Sequence, residues 1–303
     1  MNIGILSRNR NLYSTRRLVE EGKKLGHTVQ VLNPLLCKLL VAQKSITMFY
    51  GERQIPHFDV IIPRIGTSIT DYGIAVINHF ELMGVPVLNG AFGISRSRDK
   101  LRSLQLLAER GINIPKTFMA RKIDNLQKTL NMVGGVPVIL KLLQGSQGVG
   151  VMIAESLDSA ESVLDTFWNL EQNILIQEYV RESRGRDVRA LVMGDRIVAA
   201  MRRFAKPGRF RSNIHRGGYG EIVDLDPVFR KTALDAARVM KLQVAGVDLL
   251  ESESGPKVME VNSSPGFEGL EEATKQNIAG KIIEHACEYA KSFRPKKPRK
   301  KRP

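Results

Sequence analysis

Apolar and polar positions alternate along the first hundred residues in a way that predicts short strands separated by helices. Four apolar runs have the length of strands, at residues 2–6, 28–32, 60–62 and 85–88. Two amphipathic patterns have the length and period of helices, at residues 12–25 and 70–83. This order of strands and helices predicts a small doubly wound α/β domain, which we place at residues 1–96.

The pattern changes after this region. Residues 99–110 predict a linking helix, with Ser97 or Asp99 as its N-cap and Gly111 at its end, within a linker at 97–113. Further on, strand pairs are predicted at 137–143 with 149–154, at 187–193 with 196–202, and at 244–250 with 257–261. Helices are predicted at 157–170, 227–240 and 278–293. Hairpins mixed with helices indicate an α+β region with antiparallel sheets, which we divide at residues 114–180 and 181–293.

The last predicted hairpin carries candidate metal ligands. Its turn at residues 252–256 puts Asp248 opposite Glu260, and strand alternation predicts Val258, Glu260 and Asn262 on one face. Like charges opposite each other destabilise a sheet, so this face is either fully solvated or holds a cation. Two carboxylates and an amide oxygen suit Mg²⁺ or Mn²⁺. We expect Asp248→Ala or Glu260→Ala to abolish turnover and to leave the fold largely intact.

A glycine-rich segment at residues 145–150, which includes Gly145, Ser146 and Gly148, lies between two predicted strands. Its backbone N–H groups can face a phosphate, although a flexible hairpin turn has the same composition. Lys141 interrupts the apolar strand before it, and a buried ammonium is costly unless it meets an anion. A lysine that reaches water at the strand edge is the alternative.

Two further segments are candidates for ligand binding. The apolar run at residues 174–180 turns polar at its end, as a strand that leads into a hinge would. Arginines then crowd into about thirty residues, and clustered guanidinium groups suit phosphate and carboxylate recognition, with solvated surface arginines as the alternative. These arginines are Arg186, Arg189, Arg202, Arg203, Arg209, Arg211 and Arg216.

Composition narrows the class of protein. The chain has 303 residues, 43% hydrophobic residues and a net charge of +15, and we expect neither a signal peptide nor a membrane span. Two distant cysteines, Cys37 and Cys287, favour a reducing cytoplasm, and the five histidines lack zinc-ligand spacing. Residues 294–303 contribute seven positive charges and three prolines, which predicts a disordered basic tail. The tail either aids solubility or attaches the protein to RNA, the ribosome or a polyanionic polypeptide.

Eight motifs together resemble the ATP-grasp superfamily, and within it the RimK branch of glutamate ligases. They occur in family order and span nearly the whole chain as far as Phe293. The motifs are P-R-I-G (63–66), R-D-K-L-R-S (98–103), V-I-L-K-L-L-Q-G-S-Q-G-V-G (138–150), Q-E-Y-V (177–180), G-R-D-V-R (185–189), F-R-S-N-I-H-R-G-G (210–218), A-G-V-D (245–248) and M-E-V-N-S-S-P-G (259–266). The basic tail departs from the family pattern.

The resemblance implies a pre-ATP-grasp domain, a two-subdomain ATP-grasp fold and specific roles for residues. Two Mg²⁺ or Mn²⁺ ions would be held by Asp248, Glu260 and Asn262. ATP would be bound by Lys100, Lys141, Gly145, Ser146, Gly148, Glu178, Tyr179, Val180, Asp187, Arg211, Ser212 and Asn213, with Glu178 and Tyr179 at the adenine and Asp187 at the ribose. Arg189 and Arg203, together with Lys141, would act in catalysis, and Arg64 is a further candidate for binding a carboxylate.

The implied activity is ATP-dependent addition of L-glutamate to the C-terminus of ribosomal protein six of the small subunit, through an acyl-phosphate intermediate. Synthesis of poly-glutamate would be a second activity. A ligase for another amino acid or peptide is the alternative within the fold. A ribosome- or RNA-binding protein with a regulatory nucleotide site is the alternative outside it. We also expect a homo-oligomer.

Overall fold

The computed structural model describes residues 1–143, 150–208, 212 and 217–294. Five predicted ligand residues, Gly145, Ser146, Gly148, Arg211 and Asn213, lie outside the described residues, and so does the predicted tail beyond Arg294.

The first third of the chain contains two small sheets and three helices. The elements in chain order are β1 (Asn2–Leu6), α1 (Tyr13–Lys24), β2 (Thr28–Leu32), β3 (Cys37–Ala42), β4 (Ser45–Tyr50), β5 (Arg53–Gln54), β6 (Val60–Pro63), α2 (Thr70–Leu82) and α3 (Ala91–Arg98). Strands β2, β1 and β6 form a parallel sheet in that order, which confirms the predicted α/β arrangement.

Besides helix α3, which was not predicted, two details of this region differ from the sequence prediction. Residues 85–88 form no strand, and only Val87 makes an isolated parallel bridge to Ile61. Pro86 has no N–H group to donate, so the ladder cannot extend through it. The second detail is a separate antiparallel sheet of β3, β4 and β5, for which no strands were predicted.

The middle of the chain forms a four-stranded antiparallel sheet in the order β7-β10-β8-β9. Asp99 caps the linking helix, accepting a hydrogen bond from the backbone N–H of Arg102. The elements are α4 (Lys100–Glu109), β7 (Thr117–Met119), α5 (Leu126–Met132), β8 (Val138–Leu142), β9 (Val151–Ala154), α6 (Leu157–Asn169) and β10 (Ile174–Glu178).

The last third forms a five-stranded antiparallel sheet in the order β13-β12-β11-β14-β15. Helix α7 packs against this sheet around buried Ala236 and Met240. The elements are β11 (Arg186–Met193), β12 (Arg196–Phe204), β13 (Tyr219–Ile222), α7 (Pro227–Met240), β14 (Val244–Leu250), β15 (Lys257–Asn262), α8 (Glu268–Thr274) and α9 (Ile278–Ser292).

The hairpin of β14 and β15 has the predicted pairing with one irregularity. Asp248 lies opposite Glu260, as predicted, but Leu249 pairs with Val258, which leaves Met259 as the extra residue of a β-bulge. The prediction that Val258 shares a face with Glu260 is therefore wrong, because the bulge shifts the alternation by one residue. Val258 is fully buried in the core beneath α7, while Glu260 is exposed.

Apolar clusters hold these layers together. One cluster joins the parallel sheet to the five-stranded sheet through α8 and α9, with Ile5, Phe267 and Ile283 fully buried. Separate clusters lie beneath the small antiparallel sheet, beneath α7 and within the four-stranded sheet. None of the helices in the described residues combines the length and the apolar composition needed to cross a membrane.

Candidate active site

An inner cavity of about 160 Å³ lies between the four-stranded and the five-stranded sheets. Ile139 and Leu175 line it from the four-stranded sheet, and Leu250 and Met259 line it from the hairpin of β14 and β15. Nine of the predicted site residues border this cavity. They are Lys100, Lys141, Glu178, Tyr179, Val180, Asp187, Ser212, Asp248 and Glu260.

A larger outer cavity of about 590 Å³ adjoins the inner one. Lys100, Asp248 and Glu260 line both cavities and so mark their common boundary. The remaining predicted residues of the described chain, Arg189, Arg203, Asn262 and Arg64, line the outer cavity. The structure therefore brings these residues to two adjoining spaces, whereas Arg202 of the predicted arginine cluster lines neither cavity and pairs with Glu251.

Asp248 is the most strongly engaged carboxylate of the site. Arg189 donates to both of its oxygens, at 2.7 and 2.6 Å, and Arg203 lies 3.0 Å from Oδ2. Strand β11 pairs Arg189 directly with Asp248, which explains the contact. Burial by itself would raise the pKa of Asp248, but the two guanidinium groups outweigh burial and lower it. Asp248 is thus held ionised although only 2% of it is exposed.

Asp187 completes a chain of buried charges with Arg203. Arg203 Nε donates to Asp187 Oδ1 at 2.6 Å, and Ser212 Oγ hydrogen-bonds to the other carboxylate oxygen. Asp187, Arg203 and Ser212 are all less than a tenth exposed. Both oxygens of Asp187 thus already have partners within the protein, and the predicted contact of Asp187 with a ribose stays a prediction.

Lys141 lies on β8 with its side chain at the inner cavity, and it takes part in no ion pair among the residues that the structure describes. Burial lowers its pKa to about 8; Glu260 and Asp248 oppose this shift and Lys100 adds to it. Lys100 Nζ donates to the carbonyl of Leu143 at 2.8 Å, and burial lowers its pKa as well. A charged lysine in such surroundings is stabilised by an incoming anion.

Glu178, at the end of β10, uses both carboxylate oxygens within the protein. Lys257 Nζ lies 2.6 Å from Oε1, and the backbone N–H of Lys116 donates to Oε2 at 2.9 Å. Tyr179 and Val180 follow and line the inner cavity. Lys257 is not predicted from the sequence, because a lysine at the start of a strand carries no local signal of a partner 79 positions away.

Two arginines of the outer cavity are poor in partners. Arg64 donates to Ser14 Oγ and to the carbonyl of Pro265, each at 2.9 Å, and burial together with nearby Arg98 lowers its pKa to about 10. Arg98 Nε and the hydroxyl groups of Ser263 and Ser264 are buried without a hydrogen-bond partner among the described residues. Arg98, Ser263 and Ser264 lie in motifs recognised from the sequence but were not singled out there.

The hairpin carries two carboxylates and an amide, the donor types that a hard cation takes, although both oxygens of Asp248 already accept hydrogen bonds from Arg189. Asn262 Nδ2 lies 3.4 Å from Asp248 Oδ2, and Glu260, opposite Asp248, makes no hydrogen bond or ion pair with a described residue. Within the described residues no group of three His, Cys, Asp or Glu side chains could hold a metal, so a third protein ligand would be the Asn262 amide oxygen. Two carboxylates and an amide suit Mg²⁺ or Mn²⁺.

The electrostatics of the site favour anionic ligands. Burial lowers the pKa of four cationic side chains at the two cavities, Arg64, Arg98, Lys100 and Lys141. The sheets around the inner cavity supply apolar walls, and its rim supplies lysines and carboxylates. This combination can hold a phosphorylated ligand with a planar apolar part, with a carboxylate in the adjoining space.

Comparisons with known proteins agree with this geometry. Residues 1–94 match the family described as the RimK PreATP-grasp domain, and residues 97–286 match the RimK-like ATP-grasp domain. Solved structures with the same fold include the ATP-grasp ligase PsnB with its minimal precursor (TM-score 0.74, 18% identity, 95% of this chain and 98% of that one). A RimK domain protein from Sphaerobacter thermophilus has a TM-score of 0.70 at 20% identity, covering 94% of this chain and 99% of that one.

Sequence relatives are closer. A protein of Marinobacter nauticus named "Probable alpha-L-glutamate ligase" is 54% identical over 283 residues, which are 93% of this chain and 94% of the relative. A protein of the same name from Vibrio cholerae is 52% identical over 296 residues, 98% of each chain. The chain therefore belongs to the RimK-like ATP-grasp family, as the resemblance of its motifs implied.

Proposed function

We propose that the protein is an ATP-dependent ligase that adds L-glutamate to the C-terminal carboxylate of an acceptor polypeptide, a small-subunit ribosomal protein. The observation that carries this proposal is the pair of adjoining cavities, which share Lys100, Asp248 and Glu260 at their boundary. A nucleotide in the inner cavity and a carboxylate in the outer one would meet at these three residues. The names of the relatives support glutamate as the amino acid.

The residues of the site suit phosphoryl transfer rather than attack by a protein nucleophile. Joining a carboxylate to an amine requires activation. The acceptor carboxylate would take the γ-phosphoryl group of ATP and release ADP. The amine of glutamate would then attack the acyl phosphate, which forms the amide and releases inorganic phosphate and a proton. Lys141 and Lys100 would hold the phosphates of ATP, and Arg189, Arg203 and Arg64 would orient the substrate carboxylates. Mg²⁺ at Asp248, Glu260 and Asn262 would neutralise charge on the phosphate oxygens.

Other proposed contacts concern the nucleotide base and sugar. Tyr179 and Val180 would contact the adenine from the segment after β10, and Asp187 and Ser212 would lie near the ribose. The glycine-rich segment and Arg211 and Asn213 would contribute further contacts from outside the described residues. We also propose a cytoplasmic location, since Cys37 and Cys287 are both free.

The amino-acid specificity is tested by ADP release with each common amino acid, with and without a peptide that ends in glutamate. Release that depends on both L-glutamate and the peptide is expected. Equal ADP release with another amino acid would favour the alternative hypothesis, a ligase for that amino acid. ATP binding without any amino-acid dependence would favour a regulatory nucleotide site.

The acceptor is tested by incubating small-subunit ribosomal proteins with the enzyme, ATP, Mg²⁺ and glutamate, followed by mass spectrometry of the intact proteins. A ladder of glutamyl masses on a single protein is expected. A ladder that forms on free glutamate alone would instead show synthesis of poly-glutamate.

A further inference from the structure

We propose that Lys257 is a positioning residue for the nucleotide. Its ion pair with Glu178 holds the segment from Glu178 to Val180 against β15, the strand that carries Glu260. This inference rests on the proposed function, because it assumes that ATP lies in the inner cavity with its adenine at Glu178–Val180. Lys257 itself is not among the residues that line that cavity. It would act through Glu178.

The contacts of Glu178 show how Lys257 can position the segment that follows β10. Its carboxylate accepts from Lys257 Nζ at 2.6 Å and from the backbone N–H of Lys116 at 2.9 Å, while its own N–H donates to the carbonyl of Lys116 at 2.8 Å. Both carboxylate oxygens are therefore used to hold the chain in place. Glu178 can serve a ligand through the backbone that follows it, whose position depends on these contacts.

Burial makes the ion pair more than a surface contact. The side chain of Lys257 is 11% exposed and that of Glu178 is 21% exposed. An ion pair with so little solvent around it is weakly screened. Removing one partner leaves the other charge largely buried without an opposite charge beside it. The pair can thus hold β10 of the four-stranded sheet against β15 of the five-stranded sheet.

The β-bulge at Met259 explains how one strand serves both ends of the cavity. Lys257 pairs with Leu250, Glu260 pairs with Asp248, and both Leu250 and Asp248 line the inner cavity. Directly paired residues of neighbouring strands share a face, so Lys257 and Glu260 lie on the cavity side although they are three positions apart. In a regular strand such residues would face opposite sides.

Other contacts tie the same region together but carry no paired charge. The backbone N–H of Val258 donates to the carbonyl of Asn113 at 2.8 Å, and Ser183 Oγ donates to the carbonyl of Glu251 at 2.9 Å. These bonds would remain in a Lys257 variant and would keep the hairpin of β14 and β15 attached to the segments before β7 and after β10. Loss of the ion pair should therefore displace the Glu178–Val180 segment without unfolding the site.

The test compares ATP with tripolyphosphate, which has the phosphates of ATP but lacks its adenosine. The binding of ATP and of inorganic tripolyphosphate, each with Mg²⁺, is measured by calorimetry for the wild-type protein and for Lys257→Met, Lys257→Arg, Glu178→Gln and the double variant Lys257→Met with Glu178→Gln. Lys38→Met is the control for loss of a Lys–Glu ion pair, because Lys38 Nζ lies 2.6 Å from Glu52 at an exposed turn of the small sheet and neither residue lines the two cavities. Thermal unfolding is recorded for every variant.

We expect Lys257→Met to weaken ATP binding about tenfold, the lower end of the loss found when a residue that orients a metal ligand is removed. Tripolyphosphate binding should change less than about twofold, because the phosphate end is held by other residues. Lys257→Arg should keep most of the wild-type ATP affinity, because arginine can still pair with Glu178. The double variant should bind ATP no more weakly than the weaker-binding single variant, since both substitutions break the same ion pair. Lys38→Met should bind like the wild type.

Wild-type affinity for ATP in Lys257→Met would overturn the inference while leaving the proposed function intact. An equal loss of ATP and tripolyphosphate binding would overturn it too, because it would indicate general damage. If Lys257→Met does not fold, Glu178→Gln carries the same test, since it removes the charge and keeps an oxygen for the Lys116 N–H. A wild-type protein that binds neither probe would contradict the proposed function itself.

Discussion

Asp248 and Glu260 lie directly opposite each other on β14 and β15, yet only Asp248 is buried and ion-paired. From the sequence alone, alanine at either position is expected to abolish turnover and to leave the fold largely intact. The structure changes this expectation for Asp248, because its removal leaves Arg189 and the buried Arg203 without their shared carboxylate.

Turnover should fall by roughly 100-fold or more in both Asp248→Ala and Glu260→Ala, since each loses a carboxylate at the boundary of the cavities. The free energy of unfolding should fall by about 3 kcal/mol in Asp248→Ala, as expected for a broken buried pair. In Glu260→Ala it should change by less than about 0.5 kcal/mol. Denaturant unfolding and an ADP-release assay measure the two effects. An active Glu260→Ala protein would contradict the metal assignment.

The pKa of Lys141 predicts that ATP binding weakens in mildly alkaline solution. Burial lowers this pKa from 10.5 to about 8, so the ligand-free protein loses the Lys141 proton as pH rises through 8. Phosphates favour the protonated form, and the ATP affinity should therefore fall by up to about tenfold per pH unit above 8. Calorimetry between pH 7 and pH 9.5 measures the change.

Lys141→Arg is the control for this pH dependence, because a guanidinium group stays charged over the whole range. Its ATP affinity should be nearly flat between pH 7 and pH 9.5, whatever its absolute value. Equal slopes for Lys141→Arg and the wild-type protein would show that another group is responsible. The stability of the ligand-free protein should depend on pH in the opposite direction. Between pH 8 and 10.5 the unfolded chain binds more protons at Lys141 than the folded protein does, so the contribution of Lys141 to stability should rise with pH.

Arg64 should bind the acceptor carboxylate in the outer cavity. It is in no ion pair with a described acid, and burial lowers its pKa to about 10, so a carboxylate would stabilise it. Arg64→Met should raise the KM for an acceptor peptide about tenfold or more, the usual effect of losing a hydrogen bond to a charged group. The ATP affinity should stay near the wild-type value. Arg16→Met, at an exposed position of α1, is the control, and an unchanged peptide KM would refute the assignment.

Deleting residues 294–303 tests the role of the basic tail. The deletion removes seven positive charges, so binding to small ribosomal subunits should weaken and its dependence on log salt should flatten by up to about 5 units of slope. Ligation of glutamate to a short peptide should be unaffected. Loss of peptide ligation would contradict this division of roles, and unchanged ribosome binding would leave solubility as the role of the tail.

Local pattern was sufficient where neighbours along the chain decide the structure. The hairpin of β14 and β15 was predicted with the correct pairing of Asp248 and Glu260, because a turn between two apolar runs sets the register. Missed elements have weaker patterns. Strand β3 is a nearly continuous apolar run with one lysine, and its last residues are exposed, Val41 at 73%, so its sequence lacks the alternation that a half-buried strand shows.

The sequence by itself determined the order of strands and helices, the surplus of positive charge and the set of side chains available to bind phosphates, carboxylates and metal. Only the tertiary structure decided their partners: Arg189 and Arg203 for Asp248, and Lys257 for Glu178. These pairs join residues 45 to 79 positions apart, so no local spacing encodes them. The bulge at Met259 likewise shifted the alternation of β15, because it depends on how the backbone packs between β14 and the core.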